Sequence, residues 1–152
     1  MDLFGVFKVG ASGLKIHRMR MDLIAANVAN METTRTPQGG PYRRKDLLVA
    51  AVPFSGRRDF GGIIEAAFEV EEPGTIPYGA VPVAVVSDPR PFKVIYEPGH
   101  PDANSKGYVR LPNINPTEEM VNLLTALRAY EANVAVINNA RSMITKAFDI
   151  AR

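Results

Sequence analysis

The sequence predicts an α+β fold in which long N- and C-terminal helices pair as a coiled coil and flank a small β-rich middle segment. Three observations carry this. Apolar residues near both ends recur on alternating three- and four-residue steps, the spacing of a coiled-coil seam. All 12 prolines of the 152-residue chain lie between Pro37 and Pro116, together with most of its 12 glycines. Between those breakers stand short β-branched and aromatic runs. The expected divisions are an N-terminal helical arm at 1–36, a β-rich middle with loops at 37–112, and a C-terminal helical arm at 113–152.

In the first arm, Leu14, His17, Met21, Ile24, Val28 and Met31 form the seam, with Ser12 as the expected N-cap. Thr33, Thr34, Thr36, Pro37 and the Gly39-Gly40-Pro41 run should end that helix. In the middle, strands are predicted at 47–54, 63–71, 81–86, 92–96 and 107–111, where runs such as Phe92-Lys93-Val94-Ile95-Tyr96 are bounded by Pro, Gly and Asp. Segments 56–62 and 72–79 read as loops. The second arm begins after Pro112 and Pro116, with Thr117 as the expected N-cap and Glu118 and Glu119 at the positive end of the helix dipole. Its seam is Met120, Leu123, Leu127, Tyr130, Val134, Ile137, Ile144, Phe148 and Ala151. Arg141 and His17 are seam exceptions able to set register or reach outward.

Each arm also carries a second apolar stripe. In the first it is Ile16, Met19, Leu23 and Ala26; in the second it is Ala129, Ala132, Val136, Met143 and Ile150. At about 100° per residue these stripes lie well away from the seam, so one partner helix cannot cover both. Burying a large aliphatic side chain is worth about 1.5–3 kcal/mol, which makes packing against further subunits the expected outcome.

Composition excludes much chemistry. The chain has no Cys, which removes disulfides, thiolate catalysis and thiolate metal sites. No stretch is long and apolar enough for a membrane span, and Asp2 and Lys8 interrupt what a secretory signal would need. The net charge is +2, with Lys15, Arg18, Arg20, Arg35, Arg43, Arg44 and Lys45 forming a basic span and Glu65, Glu69, Glu71 and Glu72 an acidic patch. The basic span leaves a nucleic-acid-binding module open as an alternative, although no binding signature accompanies it. His100 with Asp102 and Asn104 leaves a metal loop open, but two prolines and a glycine around them favour a tight turn. Glu118 and Glu119 point in different directions on a helix, unsuited to acid–base pairing. No catalytic, cofactor or metal site is therefore assigned.

Longer motifs narrow the reading. Ser12-Gly13-Leu14, Arg18-Met19-Arg20-Met21, Ile24-Ala25-Ala26-Asn27-Val28-Ala29-Asn30 and Thr33-Thr34-Arg35-Thr36 resemble the N-terminal signature of the bacterial flagellar rod, hook and hook-associated axial family. Gly39-Gly40-Pro41-Tyr42-Arg43-Arg44-Lys45, Tyr96-Glu97-Pro98-Gly99-His100-Pro101-Asp102-Ala103-Asn104, Pro112-Asn113-Ile114-Asn115 and Arg128-Ala129-Tyr130-Glu131-Ala132-Asn133-Val134 are similar to its proximal-rod members. The similarity lapses between Pro53 and Ala80, and His17, Met31-Glu32, Pro116 and Arg141 depart from the family pattern.

The resemblance implies a non-enzymatic, cofactor-free structural subunit of the basal-body rod. Its terminal helices would line the inner tube of a hollow shaft that transmits torque. It further implies partners in the chain itself and in rod subunits of the FlgB, FlgF, FlgG and FliE types, and export by the flagellar type III apparatus without signal cleavage into a rod spanning the periplasm. The assembly interface it suggests comprises Leu14, Met21, Ile24, Asn27, Val28 and Asn30 with Met120, Leu123, Leu127, Tyr130, Asn133, Val134, Ile137, Ile144 and Phe148. Asn27 and Asn30 match the family's asparagine pair, and their amides are expected to bond with Thr33 or a neighbour. Ile16, Met19, Leu23, Val136, Met143 and Ile150 would form the second faces.

Overall fold

A computed structural model describes residues 3–53 and 78–150. The elements in chain order are α1 (Leu3–Ala29), β1 (Lys45–Pro53), β2 (Tyr78–Ser87), β3 (Lys93–Tyr96), β4 (Tyr108–Leu111) and α2 (Pro116–Ile150). Here β1 pairs with β2 and β3 with β4, each as a two-stranded sheet. The predicted strands at 47–54, 81–86, 92–96 and 107–111 correspond to β1 to β4, whereas 63–71 and the loop at 56–62 lie outside the described residues. Tyr78 and Gly79, expected in a loop, begin β2.

The chain forms two compact units, one from Met1–His17, Val49–Pro82 and Ala129–Arg152, the other from Arg18–Leu48 and Val83–Arg128. Each draws on both terminal helices and on the middle of the sequence.

In the first unit the two helices run antiparallel at close range. A Cβ built at Gly10 would lie 2.9 Å from Ile137 Cγ1, and one at Gly13 would lie 2.7 Å from Asn133 Oδ1. Glycine is therefore the residue that lets α1 approach α2 there. Ile16 and Ala140 are buried in this unit. Ser12 is no N-cap, because α1 begins at Leu3. Its hydroxyl donates to the Val9 carbonyl at 2.7 Å and accepts the Ala80 N–H at 3.1 Å, fastening β2 to α1.

In the second unit Ile24, Leu47, Val109 and Ala126 are buried. The antiparallel β3–β4 hairpin pairs Ile95 with Val109 on its inner face and Tyr96 with Tyr108 on its outer face. Gly107 closes the hairpin loop at φ +76, and a Cβ there would meet the Tyr96 ring at 2.9 Å. The predicted helix breakers act one turn later than the actual end of α1. Asn30 Nδ2 adds a bond to the Ala26 carbonyl at 2.8 Å, which also accepts the Asn30 N–H at 3.2 Å, and Thr33 Oγ1 donates to Asn30 Oδ1 at 3.2 Å. Thr117 is not the cap of α2. Asn115 Oδ1 accepts the Thr117 N–H at 3.0 Å, so Asn115 is the N-cap and Pro116, which has no N–H to satisfy, takes the first helical position.

The seam of α2 also differs from the one read from the sequence. Met120, Leu123, Leu127 and Phe148 are exposed, and Arg141 is exposed with them. Glu119, Ala126 and Ala140 are buried and Asn133 is half-buried. These four sit at seven-residue intervals, and the half-buried Tyr130, Ile137 and Ile144 complete the stripe beside them. The covered face is thus turned by roughly 50° from the line of large apolar residues. Gly10 and Gly13 of α1 leave room there for Ile137 and Asn133 of α2, a fit that hydrophobicity alone does not reveal. On α1, Ile24 is buried as expected of the seam, but Ile16, assigned to the second stripe, is buried too.

Substituting Gly13 tests the close approach. Gly13→Leu should destabilise the protein by about 1–3 kcal/mol through overpacking, measured by urea unfolding followed by far-UV circular dichroism. Stability equal to or above that of the parent would show that the helices do not meet at this position.

Candidate functional site

The most densely bonded group of side chains gathers at Asn27, in the last turns of α1. Asn27 is 0% exposed. Its Oδ1 accepts the Lys45 N–H at 2.9 Å and its Nδ2 donates to the Lys45 carbonyl at 2.9 Å, so one amide pairs with both backbone groups at the start of β1. The Tyr42 hydroxyl adds a bond to Asn27 Oδ1 at 3.1 Å. Asn27 Nδ2 also donates to Glu119 Oε2 at 3.3 Å, which brings in the first turn of α2.

Glu119 is 1% exposed, and its other oxygen accepts Arg44 Nε at 2.7 Å. The chain Tyr42–Asn27–Glu119–Arg44 ends at Asp46, 3.3 Å from Arg44 Nη1. A buried carboxylate is tolerated only when paired and hydrogen-bonded, and both conditions are met here. Burial acts to lower the Arg44 pKa, but the hydrogen bond and charge of Glu119, with Asp46 in support, outweigh it and hold that pKa above the ordinary arginine value. Burial, then the Glu119 charge, pushes the Tyr42 phenol above its ordinary value.

The basic cluster is engaged beside this node. Arg43 stacks over Phe92, with its guanidinium carbon 4.4 Å from the ring centroid, and donates to the Asp88 carbonyl at 3.0 Å. Lys45 Nζ lies 5.6 Å from the Tyr42 ring centroid. Asp88 accepts side-chain and backbone bonds from Arg90, which hold its carboxyl below the usual range. His100 Nδ1 accepts the Asp102 N–H at 3.0 Å, the bond of a tight turn. Among the described residues no group of three His, Cys, Asp or Glu is placed to hold a metal ion. Nothing in this geometry arranges a nucleophile, base and oxyanion donor; what it does is fix backbone to backbone.

The structure separates the residues expected at an assembly interface. Asn27, Asn30 and Asn133 are bonded inside the chain, Asn133 Nδ2 to the Ala129 carbonyl at 2.8 Å. Ile24 is buried, and Leu14, Met21, Val28, Tyr130, Val134, Ile137 and Ile144 are half-buried. Met120, Leu123, Leu127 and Phe148 are exposed, as are the second-face residues Val136, Met143 and Ile150, the last two at 68% and 86%; Met19 and Leu23 are half-buried. Arg44, Tyr42 and Glu119 were not singled out as a unit by sequence reasoning. Glu119 stands 75 positions from Arg44 and 92 from Asn27, and no local spacing announces the group.

Two family models match the chain. One, described as Flagella basal body rod protein, covers residues 7–35, and the other, described as Flagellar basal body rod FlgEFG protein C-terminal, covers residues 105–150. The flagellar basal-body rod protein FlgC of Borreliella burgdorferi is 41% identical over 99% of this chain and 98% of its own length. The FlgC proteins of Bacillus subtilis and Salmonella typhimurium are 36% and 32% identical, each over 100% of both chains.

Tyr42 gives the node a pH signature. Its folded pKa lies above the unfolded value of 10.0, so the stability it contributes is complete below pH 10 and is lost as pH rises through the raised value. Tyr42→Phe should cost about 0.5–1.5 kcal/mol at pH 7 by removing one hydrogen bond, and should make the alkaline loss of stability shallower. Urea unfolding of both proteins at pH 7 and above pH 10 measures this, and parallel alkaline slopes would contradict it.

Proposed function

The chain belongs to the family of flagellar basal-body rod proteins, and from that premise we propose that helix faces left uncovered by its own fold join it to copies of itself and to neighbouring rod subunits in a hollow, torque-transmitting shaft. It is a structural subunit of the basal body. The observation that carries the proposed mode of assembly is the outer surface of α2. Met120, Val121, Leu124, Leu127, Val136, Met143, Phe148 and Ile150 are all at least two-fifths exposed. Each large side chain of that kind gains about 1.5–3 kcal/mol when buried, so a monomer that leaves them in water is poised to associate.

Glu119, Ala126, Asn133 and Ala140 of α2 pack within the chain, and its exposed apolar side chains, Met120, Leu127, Met143 and Phe148 among them, meet other subunits. Torque passes along the shaft as a mechanical consequence of many shared helix contacts, with no chemistry in the subunit. In this reading the neighbours are rod proteins of the FlgB, FlgF, FlgG and FliE types, the rod crosses the periplasm, and the flagellar type III apparatus delivers the chain without cleaving a signal. The helical arms at 1–36 and 113–152 would form the inner tube, with 37–112 outside it.

Leu127→Asp tests the assembly face. Because Leu127 is 40% exposed, the isolated variant should keep the helix content and unfolding midpoint of the parent. Rods should be missing from basal bodies of cells that carry only the variant, and swimming should be abolished. Normal motility would show that this face is not an interface.

A further inference from the structure

The outer face of the β3–β4 hairpin is exposed. Antiparallel register places Val94 opposite Arg110 and Tyr96 opposite Tyr108 on that face. The two tyrosine rings pack edge to face at 5.2 Å, while Tyr96 remains 67% exposed. The same face continues into a cleft of about 330 Å³ whose walls include Thr34, Arg35, Pro41, Asp102, Tyr108 and Arg110. The Asp102 carboxylate is already engaged by the Thr34 hydroxyl at 2.7 Å. Among the described residues the Arg35 and Arg110 side chains make no ion pair or hydrogen bond, so two guanidinium groups flank a cleft whose one carboxylate is that of Asp102. Exposed tyrosine and arginine around a concavity is the composition of an interface centre, and paired guanidiniums select carboxylates.

The chain itself carries the complementary sequence. From Asp59 to Pro77 there is no Lys or Arg, and Phe68-Glu69-Val70-Glu71-Glu72 alternates apolar and acidic residues. Its carboxylates suit the two arginines of the cleft, and its apolar residues suit the exposed tyrosines and valine beside them. We propose that this cleft binds the acidic stretch 68–72 of a second copy of the chain, a contact additional to the helix faces and resting on the same assembly reading. Cleft and stretch are different surfaces, so the contact is heterologous, and each copy offers a cleft to one neighbour and a stretch to another. Contacts of that kind propagate along helical assemblies.

Charge reversal in the source bacterium, deleted for its own copy, tests the proposal. One variant carries Arg35→Glu and Arg110→Glu, the other Glu69→Lys, Glu71→Lys and Glu72→Lys. The parent chain must first restore rods, and its failure would count against the rod reading itself. Each variant alone, checked for parental helix content, should yield at least tenfold fewer rods. Co-expression of the two as separate chains should restore them, because alternating copies pair opposite charges. Undiminished rods in either single variant, or no recovery on co-expression, would overturn the proposal. Recovery only when all five changes share one chain would do the same, showing a contact within a single molecule.

Discussion

Asn27 is wholly buried, and both ends of its amide are used: they pair with the N–H and carbonyl of Lys45, with the Tyr42 hydroxyl and with Glu119. Through that one side chain the end of α1, the start of β1 and the first turn of α2 are held together within the second unit. An aliphatic residue of similar size would leave buried donors and acceptors unanswered at about 1–3 kcal/mol each. The Arg44–Glu119 pair depends on the same arrangement, because a carboxylate so buried needs its guanidinium and amide partners in place. Polar groups, rather than a large apolar core, fix the geometry of this unit.

That economy of apolar burial leaves the larger side chains available. Where α1 meets α2 in the first unit, Gly10 and Gly13 bring the backbone close to Ile137 and Asn133. Ala140 is buried in the same unit, whereas Met143, Phe148 and Ile150 of α2 are exposed. A subunit of a polymer gains from this division. In the proposed assembly the exposed apolar side chains would meet neighbours.

The positions of both helices and four strands were legible in the sequence, because Pro and Gly cluster in the middle and leave the ends unbroken. The pairing face of α2 was not. Periodicity finds a stripe but ranks positions by size, so Met120 and Leu127 outranked Ala126 and Ala140 although the fold buries the smaller pair. The N-cap was readable in principle, since Asn115-Pro116 is a cap followed by a first-turn proline, but Thr117 competed as a cap type. The node was beyond reach. Glu119 has the same local context as a helix-dipole carboxylate, and only the fold brings it to Arg44 and Asn27.

The apolar side chains of α2 exposed in the single chain are proposed to be closed off in the assembly. Hydrogen exchange by mass spectrometry on α2 peptides, compared between the isolated protein and intact basal bodies, measures that directly. Fast exchange across residues 143–150 in the isolated chain and strong protection in the rod are predicted, because only neighbouring subunits bury Met143, Phe148 and Ile150. Equal protection of this segment in both states would contradict the account.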